Sequence, residues 1–478
     1  MLFNSIEFAI FLPLVFVLYW FVFHKNLKIQ NLFLLIASYY FYACWDWRFL
    51  FLLIFSTFLD YFTGIKIYEG KNKKEKLFWL WLSISVNLGF LGLFKYYNFF
   101  AESLVDTLTF FGIKLNIWTL HVILPVGISF YTFHGLSYVI DLYNNRIKPE
   151  KDYINYAVFV SFFPLLVAGP IERATHLLPQ IIKKREFNYT KAVNGLRQIL
   201  WGLFKKIVIA DNCAEYANLI FNNSQSYSGS TLVLGVILFA FQIYCDFSGY
   251  SDIALGTARL FGIDLLRNFA FPYFSRDIAE FWRRWHISLS SWFRDYLYIP
   301  LGGSRGGTWM RVRNTFIIFV VSGFWHGANW TFIIWGALNA LYFLPLLLTN
   351  SNRQNLEIIA KGKLFPSIKE FISMMTTFTL TLLAWVFFRA DSVKDAINYL
   401  SEIFSSTLFK MPEVFPQTII VLIIFFIIIE WLGREHQYAI ENINIKFSKP
   451  LRWAFYYAVI IAIFVFSGSQ QQFIYFQF

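Results

Sequence analysis

Apolar residues run through this chain in long unbroken stretches, and the polar residues between them come in short clusters. A helix needs about 20 apolar residues to cross a bilayer. Stretches of that kind lie near 5–23, 29–45, 48–67, 77–98, 121–142, 153–170, 192–210, 231–262, 314–347, 369–389, 416–432 and 451–468. The stretch 314–347 is too long for one crossing and predicts two helices broken near Gly323 or Gly327. The expected total is roughly eleven to thirteen membrane-spanning helices. The runs do not alternate apolar with polar as the strands of a membrane barrel must, so the fold class is all-α and polytopic. A single membrane domain over 1–478 is expected, with N-terminal helices in 1–230, a core in 231–347 and C-terminal helices in 348–478.

The loops orient the chain. The basic runs KNKKEK (71–76) and KKREF (183–187) belong on the cytoplasmic side, while the uncharged NNSQSYSGS (222–230) suits an external loop. The first stretch, MLFNSIEFAIFLPLVFVLYWFVFHK, lacks a basic leader and a small-residue cleavage site, so it reads as an uncleaved span.

Composition agrees with the pattern. Of 478 residues, 57% are hydrophobic and only 15% charged, against ~25% charged in soluble domains. The net charge of +12 sits in short loops, where the positive-inside rule and anionic lipid headgroups account for it, so nucleic acid is not an expected partner. Cys44, Cys213 and Cys245 are scattered, and the histidines lack ligand spacing, so neither a disulfide frame nor a metal site is expected.

Several carboxylates fall within or beside the apolar stretches: Asp60, Asp141, Glu172, Asp246 and Asp252. A carboxylate at mid-bilayer costs about 2.5–3.5 kcal/mol, so each should face protein or a water-filled cavity. Asp246, Ser248, Ser251 and Asp252 share one apolar segment and read as a hydrogen-bonded packing node in preference to groups in direct chemistry, and they suggest an interior polar cavity.

The densest chemistry lies between Asp277 and Trp330. On a helical projection of 277–297, Ile278, Phe281, Trp282, Trp285, Leu289, Trp292, Phe293 and Tyr296 share one face, which predicts an amphipathic helix with an aromatic stripe. Arg276, Arg283 and Arg294 form an uncompensated positive strip, and His286 projects between strip and stripe. Guanidinium groups in a row suit phosphate oxygens, and the following PLGGSRGG loop would let backbone N–H groups and Arg305 approach an anion. Arg283, Arg294 and Arg305 are therefore candidate contacts for a phosphate-rich donor such as coenzyme A; the same arginines also suit lipid headgroups.

His326 stands inside the apolar run FIIFVVSGFWHGANWTFIIW. An ionisable group there is a functional candidate, and neutral imidazole is an effective general base near pH 7. Gly323, Gly327 and Ala328 would leave room beside it for a substrate chain. No nucleophile elbow, phosphate loop or zinc-protease motif appears. A base and an anion-binding surface without a nucleophile suit direct acyl transfer from a bound thioester to a hydroxyl.

Two runs, FWRRWHISLSSWFRDYLYIPLGGSRGG and SGFWHGANWTFIIWGALNA, resemble the signature of the membrane-bound O-acyltransferases, in particular the bacterial alginate O-acetyltransferase branch. Other pieces match in order: MLFNSIEFAIFLPLV, LPVGISFYTFHGLSYVIDLY, FVSFFPLLVAGPIERA, DFSGYSDIALG, LAWVFFRADSVKDA and FIYFQF. The resemblance covers essentially the whole chain. It implies a ring of tilted helices around a central tunnel, with His326 at the family's catalytic histidine and His286 at the second histidine, which some relatives replace with asparagine. It implies acetyl-CoA or an equivalent cytoplasmic donor, with no permanently bound cofactor, in a multi-pass protein of the bacterial cytoplasmic membrane. It also implies an external partner of SGNH-hydrolase type and a polysaccharide, alginate-like or peptidoglycan, as the final acceptor. Two alternatives stand beside this reading: D-alanyl transfer to teichoic acid, and a transporter or channel using the same intramembrane charges.

Overall fold

A computed structural model describes residues 1–113, 125–167, 169–443, 447–468 and 470–474. Residues 121–124 of one expected span, Ala168 of another, and 475–478 of the FIYFQF run lie outside the described residues. The described chain is helical, with no strand among these residues. Five helices are long and apolar enough to cross a membrane: Trp47–Glu69, Lys73–Phe110, Gly229–Leu260, Trp330–Leu348 and Ile368–Arg389. Ile6–Val22 and Gln417–Gly433 are shorter apolar helices.

The expected eleven to thirteen spans are thus not all long continuous helices, because several stretches are interrupted. The stretch 153–170 is split into Tyr153–Ser161 and Phe163–Leu166. The stretch 192–210 passes from the α-helix Tyr189–Leu203 into the wider π-helical turns of Phe204–Ala210.

Packing divides the chain into two compact units, one of 1–192 with 257–266 and one of 193–256 with 267–478. In the first unit, Asp60 accepts from Ser83 Oγ at 2.6 Å and from Asn87 Nδ2 at 2.8 Å. Asp141 pairs with Arg146 at 3.0 Å, and Glu172 meets His176 at 2.8 Å and the Leu266 N–H at 2.6 Å. Arg185, from the basic 183–187 run, is buried and donates to the Gln30 and Asn31 side chains.

The second unit is built around Gly229–Leu260, whose most apolar window is 83% buried, against 22% for Lys73–Phe110. Glycines let Tyr189–Leu203 lie directly against it. A Cβ on Gly249 would stand 2.8 Å from the Gly202 carbonyl oxygen, and one on Gly256 would stand 2.4 Å from that of Gly195. The π-helical turns then aim two lysines at the carboxylates of the packing node. Lys205 meets Asp252 at 2.5 Å and Ser248 at 3.0 Å, while Lys206 bridges Asp246 at 2.8 Å and Asp211 at 2.7 Å. Each intramembrane carboxylate singled out from the sequence therefore has a partner, as the cost of burying one alone requires.

Candidate functional site

The stretch 277–297 is not one helix. Asp277 caps Ile278–Arg284 by accepting from the Glu280 N–H at 2.7 Å. The helix stops at Trp285, whose backbone is extended, and His286 turns left-handed at φ 42° before Ile287–Phe293 begins. Asn268 holds the break, taking the Ile287 N–H on its carbonyl at 2.9 Å and the Ser288 hydroxyl on its side chain at 2.6 Å. Ile278, Phe281, Trp285, Leu289, Trp292 and Phe293 are all buried. The projected face is therefore real even though the helix carrying it is broken.

The break places His286 inside an aromatic shell. Its ring stands edge-on to Phe247 at 4.7 Å between centroids and 6.0 Å from Trp325. His326 is the last residue of Gly307–His326, and Trp330–Leu348 returns after an Asn329 cap that accepts from the Thr331 N–H at 3.0 Å. The long stretch is therefore broken at Gly327. The His326 ring lies 4.8 Å from Trp325, 5.1 Å from Trp335 and 5.3 Å from Phe388. Trp325 thus touches both imidazoles, and both histidines are buried.

The small residues beside His326 do not leave the open space expected of them. A Cβ on Gly323 would lie 2.2 Å from the Phe332 carbonyl oxygen, and one on Gly327 would lie 2.1 Å from the Phe332 ring. They allow the two helices of the hairpin to meet.

Space is found on another side, in a cavity of about 550 Å³. Its polar lining includes Arg283, Arg294, Arg311 and Arg353, and its apolar lining includes Trp282 and Phe319. Ser322, one helical turn before His326, also lines it.

The arginines divide by role. Arg276 is not an uncompensated charge, because it pairs with Glu280 at 3.0 Å and Glu370 at 3.4 Å. Arg283 donates to the Asn352 and Asn355 carbonyls, both at 2.8 Å, and so braces the chain after Trp330–Leu348. Arg294 is largely exposed beside Asp295, and Arg311 reaches Asn350 at 2.7 Å.

Arg305 does not line the cavity. In the glycine loop the Gly302, Gly303 and Arg305 N–H groups are taken up by the Ile299, Tyr298 and Gly302 carbonyls within the turn. Gly302 and Gly303 are required there by φ values of 103° and 58°. Sequence reasoning missed Arg311 and Arg353, which stand in short polar clusters beside apolar stretches and read as ordinary loop charge.

Two buried histidines, one at the helix break and one at the end of Gly307–His326, thus share Trp325, and an arginine-lined cavity suited to an anion borders the second helix at Ser322. The model of MBOAT, the membrane-bound O-acyltransferase family, matches residues 35–375. The chain belongs to this family. It is an O-acyltransferase of a membrane, which sets aside the transporter reading.

Similar proteins include a probable alginate O-acetylase of Pseudomonas aeruginosa, 39% identical over 86% of this chain and 76% of that protein. A peptidoglycan O-acetyltransferase of Helicobacter pylori is 38% identical over 84% of this chain and 79% of its own. A teichoic acid D-alanyltransferase of Bacillus subtilis is 29% identical over 45% of this chain and 57% of its own.

Proposed function

We propose that this acyltransferase takes an acetyl group from acetyl-CoA and passes it across the bacterial cytoplasmic membrane for O-acetylation of an exported or cell-wall polysaccharide. The observation that carries this reading is the placement of His326. It ends the helix whose preceding turn, at Ser322, borders the arginine-lined cavity. A thioester seated there by its phosphates would bring its acyl carbon toward the imidazole.

In that reading His326 is the general base. It takes the proton of the acceptor hydroxyl as that oxygen bonds to the thioester carbonyl carbon. The carbon–sulfur bond then breaks, the thiolate leaves, and the proton passes from the imidazolium to it. His286 orients the acyl group or the acceptor. Arg283, Arg294, Arg311 and Arg353 answer the donor's negative charge. The immediate acceptor is a serine of an external SGNH-type partner or a sugar hydroxyl.

The test is transfer of labelled acetyl from acetyl-CoA by purified protein in liposomes, with acetyl-ester content of the cell's glycans measured alongside. His326→Ala should lower transfer by about 10²–10⁴-fold while the protein stays in the membrane at normal abundance. Retained transfer would remove His326 from the base role. D-alanyl transfer from a carrier-protein thioester remains the second reading, because the teichoic acid D-alanyltransferases match over part of the chain. A donor preference for D-alanyl carrier over acetyl-CoA would favour it.

A further inference from the structure

The segment 470–474 packs back onto the second unit by its last two residues, while Gln470 and Gln472 stay exposed. Phe473 and Ile474 are 0% and 1% exposed. The Ile474 N–H donates to Asp246 Oδ2 at 2.7 Å, and Lys206 Nζ, already bridging Asp246 and Asp211, donates to the Gln471 carbonyl at 3.2 Å. A charge cluster inside the bundle thus holds the segment by its backbone. The bond through Asp246 fixes the register of the next contact. Phe473 packs 4.7 Å from the Tyr250 ring and 5.9 Å from Phe247, and Phe247 is the ring that stands edge-on to His286 at 4.7 Å.

His286 itself needs such support. Its backbone is left-handed at φ 42°, a conformation a non-glycine residue keeps only where the surroundings over-determine it. Phe247 forms one wall of that surrounding, adjacent in sequence to the carboxylate that pins the segment. The contact series runs from Asp246 to Ile474 through backbone, and from Phe473 through Phe247 to the imidazole.

We propose that the segment 470–474 is a positioning element for His286: Phe473 backs the Phe247 ring against the imidazole, and the Lys206–Asp246 pair holds Phe473 in register. The effect on turnover rests on the reading of His286 as part of the acyl-transfer site; the effect on the His286 ring does not.

The experiment uses full-length protein in detergent or liposomes. Modification of His286 by diethylpyrocarbonate is followed by mass spectrometry with exposed His24 as internal reference, beside kcat and KM for acetyl-CoA. Phe473→Ala should raise the relative His286 modification rate several-fold and lower kcat about tenfold, with KM little changed because the arginine cavity is untouched. Phe473→Leu and Phe473→Met, which keep part of the packing but lose the ring contact, should give values between wild type and Phe473→Ala for both. An unchanged His286 modification rate in Phe473→Ala overturns the proposal whatever the activity. If Phe473→Ala does not accumulate, the Leu and Met variants decide: a rate that rises as ring contact is lost supports the role, and a flat series overturns it. His286→Ala with full turnover would instead strike the reading of His286 and leave the positioning role to be judged on modification rate alone.

Discussion

At the residue scale, the backbone of His286 separates what the position needs from what the ring does. The left-handed turn costs a non-glycine residue about 1–2 kcal/mol, and asparagine bears it better than most. His286→Asn should therefore fold at wild-type abundance and isolate the loss of the imidazole in the acetyl-transfer assay. His286→Val, β-branched in a left-handed turn, should also lower Tm; equal Tm values for the two variants would show that the turn relaxes. Glu413 gives a residue-scale pH effect outside the spans. It accepts first from the Thr231 hydroxyl, then from Ser228 Oγ at 2.7 Å and the Ser228 N–H at 3.3 Å, which hold its pKa at about 2, below the ordinary 4.5. A depressed carboxylate stabilises the fold fully above its unfolded pKa and loses that contribution as pH falls through the folded one. Glu413→Gln should therefore lower Tm at pH 7, with the gap to wild type narrowing as pH drops from 4.5 toward 2. A gap independent of pH would mean that the carboxylate's charge plays no part.

At the scale of elements, glycines decide where helices meet, and crowding distinguishes them. A Cβ at Gly323 or Gly336 would stand 2.2 or 2.4 Å from a backbone oxygen of the partner helix, whereas one at Gly89 meets nothing within 4 Å. Gly323→Ala should cost about 1–3 kcal/mol as the hairpin is forced apart beneath His326, lowering both abundance and acetyl transfer. Gly89→Ala, in a helix interior with open space, should be neutral or mildly stabilising. The hairpin was legible in the sequence because 314–347 exceeds one crossing and carries Gly323 and Gly327 as points to break it; the Asn329 cap came only with the structure. The break at Trp285–His286 was not: the three-and-four spacing of aromatics continues across it, and nothing local in WRRWHIS marks a helix end. The same spacing still picked out the buried residues. Where local sequence stays helical and a segment distant in sequence holds the break, through Asn268 and the Ala270 N–H on the Arg284 carbonyl, a helical projection finds the face but not the element.

At the scale of the whole molecule, the hydrophobic pattern carried the all-helical membrane class, and His326 stood out as an ionisable group in an apolar run. The arginine-lined cavity was only partly legible, because the arginines that line it come from separate segments at 283, 294, 311 and 353. The excess charge of +12 leaves two uses for such arginines, lipid headgroups or a phosphate-bearing donor, and kinetics separates them. Arg283 braces the Asn352 and Asn355 carbonyls, so its replacement should lower abundance and kcat together. Among the described residues Arg311 bonds neutral groups, the Asn350 and Thr308 side chains at 2.7 and 3.0 Å, which leaves its charge to answer an anion in the cavity. Arg311→Gln and Arg353→Gln should each raise KM for acetyl-CoA about tenfold with kcat nearly unchanged, the pattern of lost binding that is equal in ground and transition states. The increase should be smaller for an acetyl thioester lacking the nucleotide phosphates. KM values that follow the anionic lipid content of the liposomes, and not the phosphates of the donor, would assign these arginines to the membrane surface.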